Sequence, residues 1–306
     1  MSRFIVGRAL QSLLSLFVVS LVVFYAARLT GDPTVLMLSE MATKEDAARL
    51  RAHLGLDKPI TTQYALFLKR AAQGDLGEST RYRRPVTDVL AARFPASLEL
   101  GSVAIVISIL IALPIGVYSA VHRGTALDFA GRLFAVLGQS LPLFWLGLIL
   151  ILIFAVWFGW VPAAGRGGPA NFILPAVTMG WATTPAIMRL TRSAMLEVLE
   201  SEYIKLARIK GLPEWRVVWK HALKNALLPV ITFSVLLFAE MIAGAIVTET
   251  VFAWPGVGQL LISSVNTRDF PMVQATVLLL ASLFVLGNLA VDVLYAWLNP
   301  KIRYGR

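Results

Sequence analysis

The chain has 306 residues, 57% of them hydrophobic and only 15% charged, with a mean hydropathy of +0.72 and a formal charge of +10. A soluble domain carries about 25% charged residues, so the composition sets aside a soluble globular protein and indicates a polytopic membrane protein. The absence of cysteine excludes a disulfide framework and a Cys-based zinc site, and His53, His122 and His221 lie too far apart for a His-rich metal cluster. No cofactor or metal is expected. Most basic residues flank apolar stretches, so lipid headgroups rather than nucleic acid are the expected partner of the positive charge.

A membrane span needs about 20 mostly apolar residues. Six segments meet this requirement: 8–28, 98–121, 133–158, 172–191, 227–248 and 273–297. The first is too long for a signal peptide and is followed by no small-residue cleavage site, so an uncleaved span is expected. The connection 29–97 reads as a small helical insertion. Thr43 and Asp46 suit a capping box, with Ala47, Leu50 and Leu54 on one side and Gly55 at the end. A second helix is expected from Pro59, with Ile60, Tyr64, Phe67, Leu68 and Ala71 on one face. The basic run "RYRRPV" (81–86) reads as a solvated turn near headgroups. Pro114, Pro142, Pro175, Pro185 and Pro229 are expected to interrupt the spans, which is tolerated where neighbouring protein or a water-filled cavity satisfies the freed backbone.

Between the fourth and fifth spans lies "EYIKLARIKGLPEWRVVWKHALKNALLP" (202–229), with six Lys or Arg against two Glu. Leu196, Leu199, Tyr203, Leu206 and Ala207 recur at helical spacing, Gly211 suits a left-handed helix end, and Pro213 suits the first turn of the next helix. In that second helix Trp215, Val218, Trp219, Ala222, Leu223 and Ala226 are expected to share one face, with Arg216, Lys220 and Lys224 on the other. Physics alone leaves two readings open: a basic helix lying on anionic lipid, or a short rigid helix projected into a groove on a partner.

Two carboxylates fall inside spans. Glu240, near the middle of the fifth, costs at least ~2.5–3.5 kcal/mol to insert and should face water or a partner rather than lipid. It is either a pathway residue favouring cationic groups or a polar contact to a paired subunit or to Asn288. Asp292, in the sixth, is expected to form a structural ion pair with an Arg or Lys. Between these spans, Glu249 precedes a compact turn of Trp254, Pro255, Gly256 and Gly258. Trp254 there reads either as part of an outer gate or as an interfacial anchor.

Charge asymmetry orients the chain. A cytoplasmic amino terminus places Arg3, Arg8, Arg123, Arg132, Arg189, Arg192, the basic loop, Lys301, Arg303 and Arg306 on the cytoplasmic side. The two short opposite loops then hold Arg166 and Arg268. The basic residues of 28–97 are no objection, because loops beyond about 60 residues translocate largely regardless of charge. Both termini are expected to be cytoplasmic.

The loop "EYIKLARIKGLPEWRVVWKHALKNALLPVIT" resembles that of ATP-binding-cassette importer permeases, in their dipeptide/oligopeptide/nickel branch. Of the general importer pattern Glu-Ala-Ala, three residues, Gly, only Ala207 and Gly211 match, and Pro229 lies further from Gly211 than that pattern places it; both departures suit the peptide/nickel branch. The resemblance continues through "LTGDP" (29–33), "LGLDKPITTQY" (54–64), "GDLGES" (74–79), "ETVFAWPGVGQLL" (249–261), "RDFP" (268–271) and "VDVLYAWLNPKIRYG" (291–305). It implies an all-α type I importer permease fold of six transmembrane helices in the bacterial inner membrane. Span 1 (1–28), a periplasmic insertion (29–97) and a core (98–306) with a coupling loop at about 192–226 would be its parts. A second, homologous permease subunit, two cytoplasmic ATPase subunits and a periplasmic solute-binding protein would be its partners. Tyr203, Lys205, Leu206, Ala207, Arg208, Lys210, Gly211, Leu212 and Pro213 would engage the ATPases, and the turn at Trp254 would re-enter the outer face as a gate. The chain contains no G-x-x-x-x-G-K-[ST] motif, so it is expected to be a transport subunit and no enzyme. Two rival classes are a proton-coupled secondary transporter using Glu240 and Asp292, and an intramembrane protease using Ser140. The first leaves the basic loop unexplained, and the second lacks a histidine within a span.

Overall fold

Two long helices organise the bundle in this computed structural model, which describes residues 2–29 and 55–298 together with a few isolated positions between them. The expected helix around Thr43, Asp46, Ala47, Leu50 and Leu54 lies largely outside the described residues, as does most of "LTGDP". In chain order the helices are α1 (Ser2–Leu29), α2 (Ile60–Ala72), α3 (Val86–Val121), α4 (Ala126–Ser140) and α5 (Leu143–Leu150), which runs on into π-helical Ile151–Trp157. Then follow α6 (Ala170–Leu199), α7 (Glu202–Ile209), α8 (Glu214–Gly244, π-helical over Val217–Ala222), α9 (Ile246–Val251), α10 (Val257–Asn266) and α11 (Phe270–Leu298). Among the described residues no β-strand occurs, only an isolated bridge between Glu78 and Pro85.

Helices α3 and α6 make the most extensive contact in the molecule. Small residues set their approach at two levels, as expected where helices pack without a hydrophobic driving force. A Cβ on Gly116 would lie 2.8 Å from the Met188 carbonyl oxygen, and one on Gly180 would lie 3.0 Å from Ser108 Oγ. Around this pair α8 packs on α3, α6 and α11, α4 packs on α6, and α1 packs on α11. The α1–α11 contact includes Arg8 Nε at 3.3 Å from Asp292 Oδ2, the structural ion pair expected for Asp292.

Among the described residues four helices are long and apolar enough to cross a bilayer, namely α1, α3, α8 and α11. The segment read as one span over 133–158 is instead two helices bent by 102°, and their pair makes a fifth candidate. The break falls at Pro142, the residue before it being extended, as proline requires of its neighbour. The remaining segment, 172–191, lies in α6, which is long enough but less apolar. Its threonines are enclosed: Thr178, Thr183, Thr184 and Thr191 are all buried.

The other prolines do not interrupt their helices. Pro95 and Pro114 lie within continuous α3, Pro175 and Pro185 within α6, and Pro229 within α8. Hydroxyls gather on the Gly180 carbonyl of α6: Thr184 Oγ1 lies at 2.7 Å, Thr183 Oγ1 at 3.1 Å and Ser108 Oγ of α3 at 3.1 Å.

The helix expected after Pro59 runs Ile60–Ala72 and docks on α1. Tyr64 is buried, its hydroxyl 2.8 Å from Ser20 Oγ, and its ring packs at 5.2 Å from that of Phe24.

The α3–α6 crossing predicts that Gly116→Val lowers stability by about 1–3 kcal/mol through overpacking. Thermal unfolding in detergent should show a lower midpoint for it, while Gly244→Ala, which meets nothing within 4 Å, should leave the midpoint unchanged.

Candidate functional site

Helix α6 ends at Leu199, and the chain turns through Glu200 and Ser201 into the two-turn helix α7. Ile204 is the fully buried side chain of α7. It packs in a cluster with Ala194 and Met195 of α6, Val117 and Ala120 of α3, and Val217, Val218, Ala222 and Ala226 of α8. The other side of α7 faces outward, with Tyr203, Leu206 and Ile209 exposed and Ile209 at 80%. The helix ends in a Schellman arrangement: Gly211 N–H donates to Arg208 O (2.9 Å) and Leu212 N–H to Ala207 O (3.3 Å). Gly211 has φ +75°, a conformation that costs other residues energy, and open space surrounds it. Pro213 then starts α8, and Arg208 clamps the elbow through two hydrogen bonds to Glu214, at 3.2 and 2.7 Å. Lys205 pairs with Glu202 at 2.7 Å, and Asn225 Nδ2 donates to Tyr203 Oη at 2.6 Å. The nine residues from Tyr203 to Pro213 singled out in the sequence thus share one projecting elbow. Ile209, its most exposed apolar side chain, was not among them, although it sits between Arg208 and Lys210 in the same run.

The tryptophans of α8 depart from expectation. Val218, Ala222 and Ala226 are buried as expected, but Trp215 and Trp219 are 62% and 50% exposed. The π-helical stretch Val217–Ala222 falls within this run, and its wider turn does not keep the 3.6-residue register from which the shared face was read.

Beneath the elbow is an ion pair that the sequence reading missed. Arg192 of α6 donates to both oxygens of the buried Asp128, Nε at 2.8 Å and the terminal nitrogen at 3.1 Å. Ser119 of α3 donates to Asp128 Oδ1, and the Gly124 N–H donates to its Oδ2 at 3.1 Å. Asp128 lies in the first turn of α4, three residues after the N-cap Thr125. That Thr-x-x-Asp spacing is a capping-box signal that could have drawn attention to it.

At the opposite end of α8, α9 and α10 enclose the turn at 252–256. Trp254 is completely buried, its indole N–H donating to Ala96 O at 2.8 Å and its ring meeting Phe172 edge-on at 4.6 Å. A headgroup-layer anchor would not be so enclosed. Glu249 Oε2 accepts the N–H groups of Gly258 (2.8 Å) and Gln259 (3.1 Å), and Ser97 Oγ donates to Oε1 at 2.6 Å while accepting Val257 N–H at 2.8 Å. The carboxylate therefore caps α10 in place of a local N-cap residue. Burial pushes its carboxyl above the usual range, opposed by the hydrogen bonds from Ser97, Gln259 and Gly258. Both glycines of the turn are required by contact: a Cβ on Gly256 would lie 2.2 Å from Glu249 Oε1, and one on Gly258 would lie 2.6 Å from Ile246 Cα. Pro255 sits between Trp254 and Gly256, half-buried. Next to this latch, Asp269 takes Ser79 Oγ–H and the N–H groups of Thr80, Arg81 and Met272, so "GDLGES" and "RDFP" meet on one side chain.

Glu240 belongs to neither assembly. It is exposed on α8, makes no hydrogen bond or ion pair among the described residues, and does not reach Asn288, whose amide donates to Phe284 O instead. Among the described residues no group of three or more His, Cys, Asp or Glu could hold a metal ion.

Glu249→Ala would leave two N–H groups of α10 unsatisfied, at about 1–3 kcal/mol each. Its unfolding midpoint in detergent should fall markedly below that of the unaltered protein; an unchanged midpoint would mean the carboxylate does not hold this turn.

The same elbow and latch belong to a chain with clear relatives. Residues 112–304 match the family described as "Binding-protein-dependent transport system inner membrane component", and residues 1–101 match the N-terminal region of such membrane components. The glutathione transport system permease protein GsiC of Escherichia coli (strain K12) is 41% identical over 305 residues, covering 99% of this chain and all of that one. GsiC of Salmonella typhimurium (strain LT2) is equally similar over the same coverage. Among solved structures, the MetNI methionine ABC transporter in an inward-facing form superposes with a TM-score of 0.54 at 21% identity, over 68% of this chain and 95% of that one. An amino acid ABC transporter with histidines gives 0.52 at 16% identity, over 70% and 94%. These last likenesses concern the fold. The chain belongs to the family of inner membrane components of binding-protein-dependent transport systems, the permease subunits of ATP-binding-cassette importers.

Proposed function

We propose that this permease forms half of a translocation pathway for a peptide-sized solute, glutathione or a short peptide, and that a second, homologous permease forms the other half. The full-length identity to glutathione permeases supports the solute class. In this reading the chain crosses the inner membrane six times, with α6 and the bent α4–α5 pair completing the count, and both termini are cytoplasmic. Segment 29–97 stands in the periplasm, where a solute-binding protein delivers cargo.

The observation that carries the reading is the elbow. Tyr203, Leu206 and Ile209 form an exposed apolar ridge on a helix too short to be stable alone, held rigid by buried Ile204, the Gly211 turn and the Arg208–Glu214 clamp. Such a ridge fits an apolar groove on each cytoplasmic ATPase subunit, which supplies the nucleotide chemistry this chain lacks a motif for. ATP-driven closure of those subunits moves the elbow, and α6 and α8 carry that motion to the latch at Trp254, which gates the outer side. A proton-coupled carrier is not favoured, since Asp292 is engaged by Arg8.

Glu240 is assigned to the pathway. An exposed carboxylate at membrane depth without a partner among the described residues needs water or a cation opposite it. Gly244, one turn further along α8 and also exposed, leaves open space beside it. A substrate ammonium group is the complement.

Two measurements on the reconstituted complex test this. Gly211→Val forces a β-branched residue into the left-handed region, and Ile209→Asp puts a charge on the ridge. Each should cut ATP-driven uptake at least about tenfold with normal membrane levels, a loss of about 1.4 kcal/mol or more in coupling. Uptake near the unaltered rate would remove the elbow from the mechanism. Glu240→Gln should slow uptake of substrates with a free amino group relative to N-acetylated ones; equal rates for both would take Glu240 out of the pathway.

A further inference from the structure

Helix α8 is longer than the apolar layer it crosses. Its 31 residues extend about 46 Å at 1.5 Å each, against about 30 Å of hydrocarbon and about 40–45 Å with headgroups. All of its cations, Arg216, Lys220 and Lys224, fall in the first three turns, whereas from Asn225 to Gly244 Glu240 is the single charged residue. With the hydrocarbon beginning near Asn225, the headgroup layer of about 5–7.5 Å per leaflet takes the turn that carries Lys220 and Lys224, and Trp215 and Arg216 stand beyond it.

One side of those turns is committed to the core through Val218, Ala222 and Ala226. The rest is open: Trp215, Arg216, Trp219, Lys220 and Lys224 are all exposed. The Arg216 guanidinium lies over the Trp215 ring at 5.3 Å, and among the described residues Lys220 and Lys224 make no ion pair. In an α-helix four-residue steps drift by about 40° each. The wider π-helical stretch reduces that drift and keeps Arg216, Lys220 and Lys224 closer to one line. Below Lys224 the same side continues as exposed Leu228 and Ile231. Glu240 lies about 120° further round the helix from Leu228, so the two faces are distinct. Lysines with exposed aliphatic side chains below them is the order in which a helix face meets phosphates and acyl chains.

We propose that this face is a binding site for anionic phospholipid of the cytoplasmic leaflet, with Lys220 and Lys224 on headgroup phosphates, Trp219 beside them, and Leu228 and Ile231 against acyl chains. The site bears on coupling because Asn225, next to Lys224, holds Tyr203 of the elbow. Lipid bound here sets the depth of the elbow beneath the ATPase subunits. The inference rests on the orientation given under the proposed function; charge complementarity and the exposed aliphatic side chains below the lysines favour lipid over an ATPase surface as the occupant.

The test uses the complete complex in nanodiscs of phosphatidylcholine with increasing phosphatidylglycerol. Binding-protein-stimulated ATP hydrolysis should rise with phosphatidylglycerol, and the Lys220→Gln/Lys224→Gln variant should lose that dependence, with copurifying phosphatidylglycerol retained about thirtyfold less tightly. Brominated phosphatidylglycerol should quench the native complex more than Trp215→Phe/Trp219→Phe. An unaltered phosphatidylglycerol response in the lysine variant would overturn the site, as would quenching that appears only after the ATPase subunits are stripped away. Because the chain has no cysteine, Lys210→Cys reports orientation separately. Labelling from the outer side would refute the orientation, while brominated-lipid quenching would still report on the lipid face.

Discussion

A hydrocarbon interior offers no hydrogen bonds, so the polar groups this chain brings into the membrane have to be met by other parts of the chain, by water or by another molecule. A donor or acceptor left unmet in such a place costs about 1–3 kcal/mol. The helices themselves satisfy most of the backbone, but their ends do not, and this protein meets those ends with buried carboxylates. Glu249 caps α10, Asp269 caps α11 and gathers the turn at 79–81, and Asp128 holds the Gly124 N–H at the start of α4. Each sits where the positive end of a helix favours an anion. Each also reaches a distant segment: Glu249 joins α3 through Ser97, Asp269 joins "GDLGES" through Ser79, and Asp128 joins α6 through Arg192.

The consequence is mechanical. With the connections pinned, the two ends of the bundle behave as blocks tied by stiff rods. Helix α6 begins with Phe172 against Trp254 and ends with Ala194 and Met195 beneath Ile204; α8 begins at the elbow and ends at the latch. Close packing at Gly116, Gly180 and Gly138, where a Cβ would lie 2.5 Å from the Pro185 ring, leaves little room for these rods to deform. In the proposed cycle, a displacement imposed on Ile209 is delivered to the turn at Trp254 instead of being absorbed between them. In the same proposal, the α7 ridge and the Glu240 face, exposed among the described residues, are where other subunits or cargo attach.

Much of this was legible in the sequence, because membrane insertion and helix punctuation are local properties. Length and apolarity mark α1, α3, α8 and α11, glycine and proline mark the elbow at 211–213, and Pro59 marks the start of α2. The misreadings have nonlocal causes. Proline reads locally as a break, yet Pro185 stays within continuous α6, buried with its ring against Gly138 of α4. Trp215 and Trp219 read as core from a 3.6-residue period that the π-helical turn does not keep.

From the sequence alone came the membrane class, the family and the elbow that projects from the bundle, since each follows from composition or from residues adjacent in the chain. Only the tertiary structure decided what holds that elbow and the latch: Asp128 with Arg192, 64 residues apart, and Glu249 with Ser97, 152 apart. A carboxylate's partner in a membrane protein is chosen by which helix ends meet in space, and no local pattern of residues encodes that meeting.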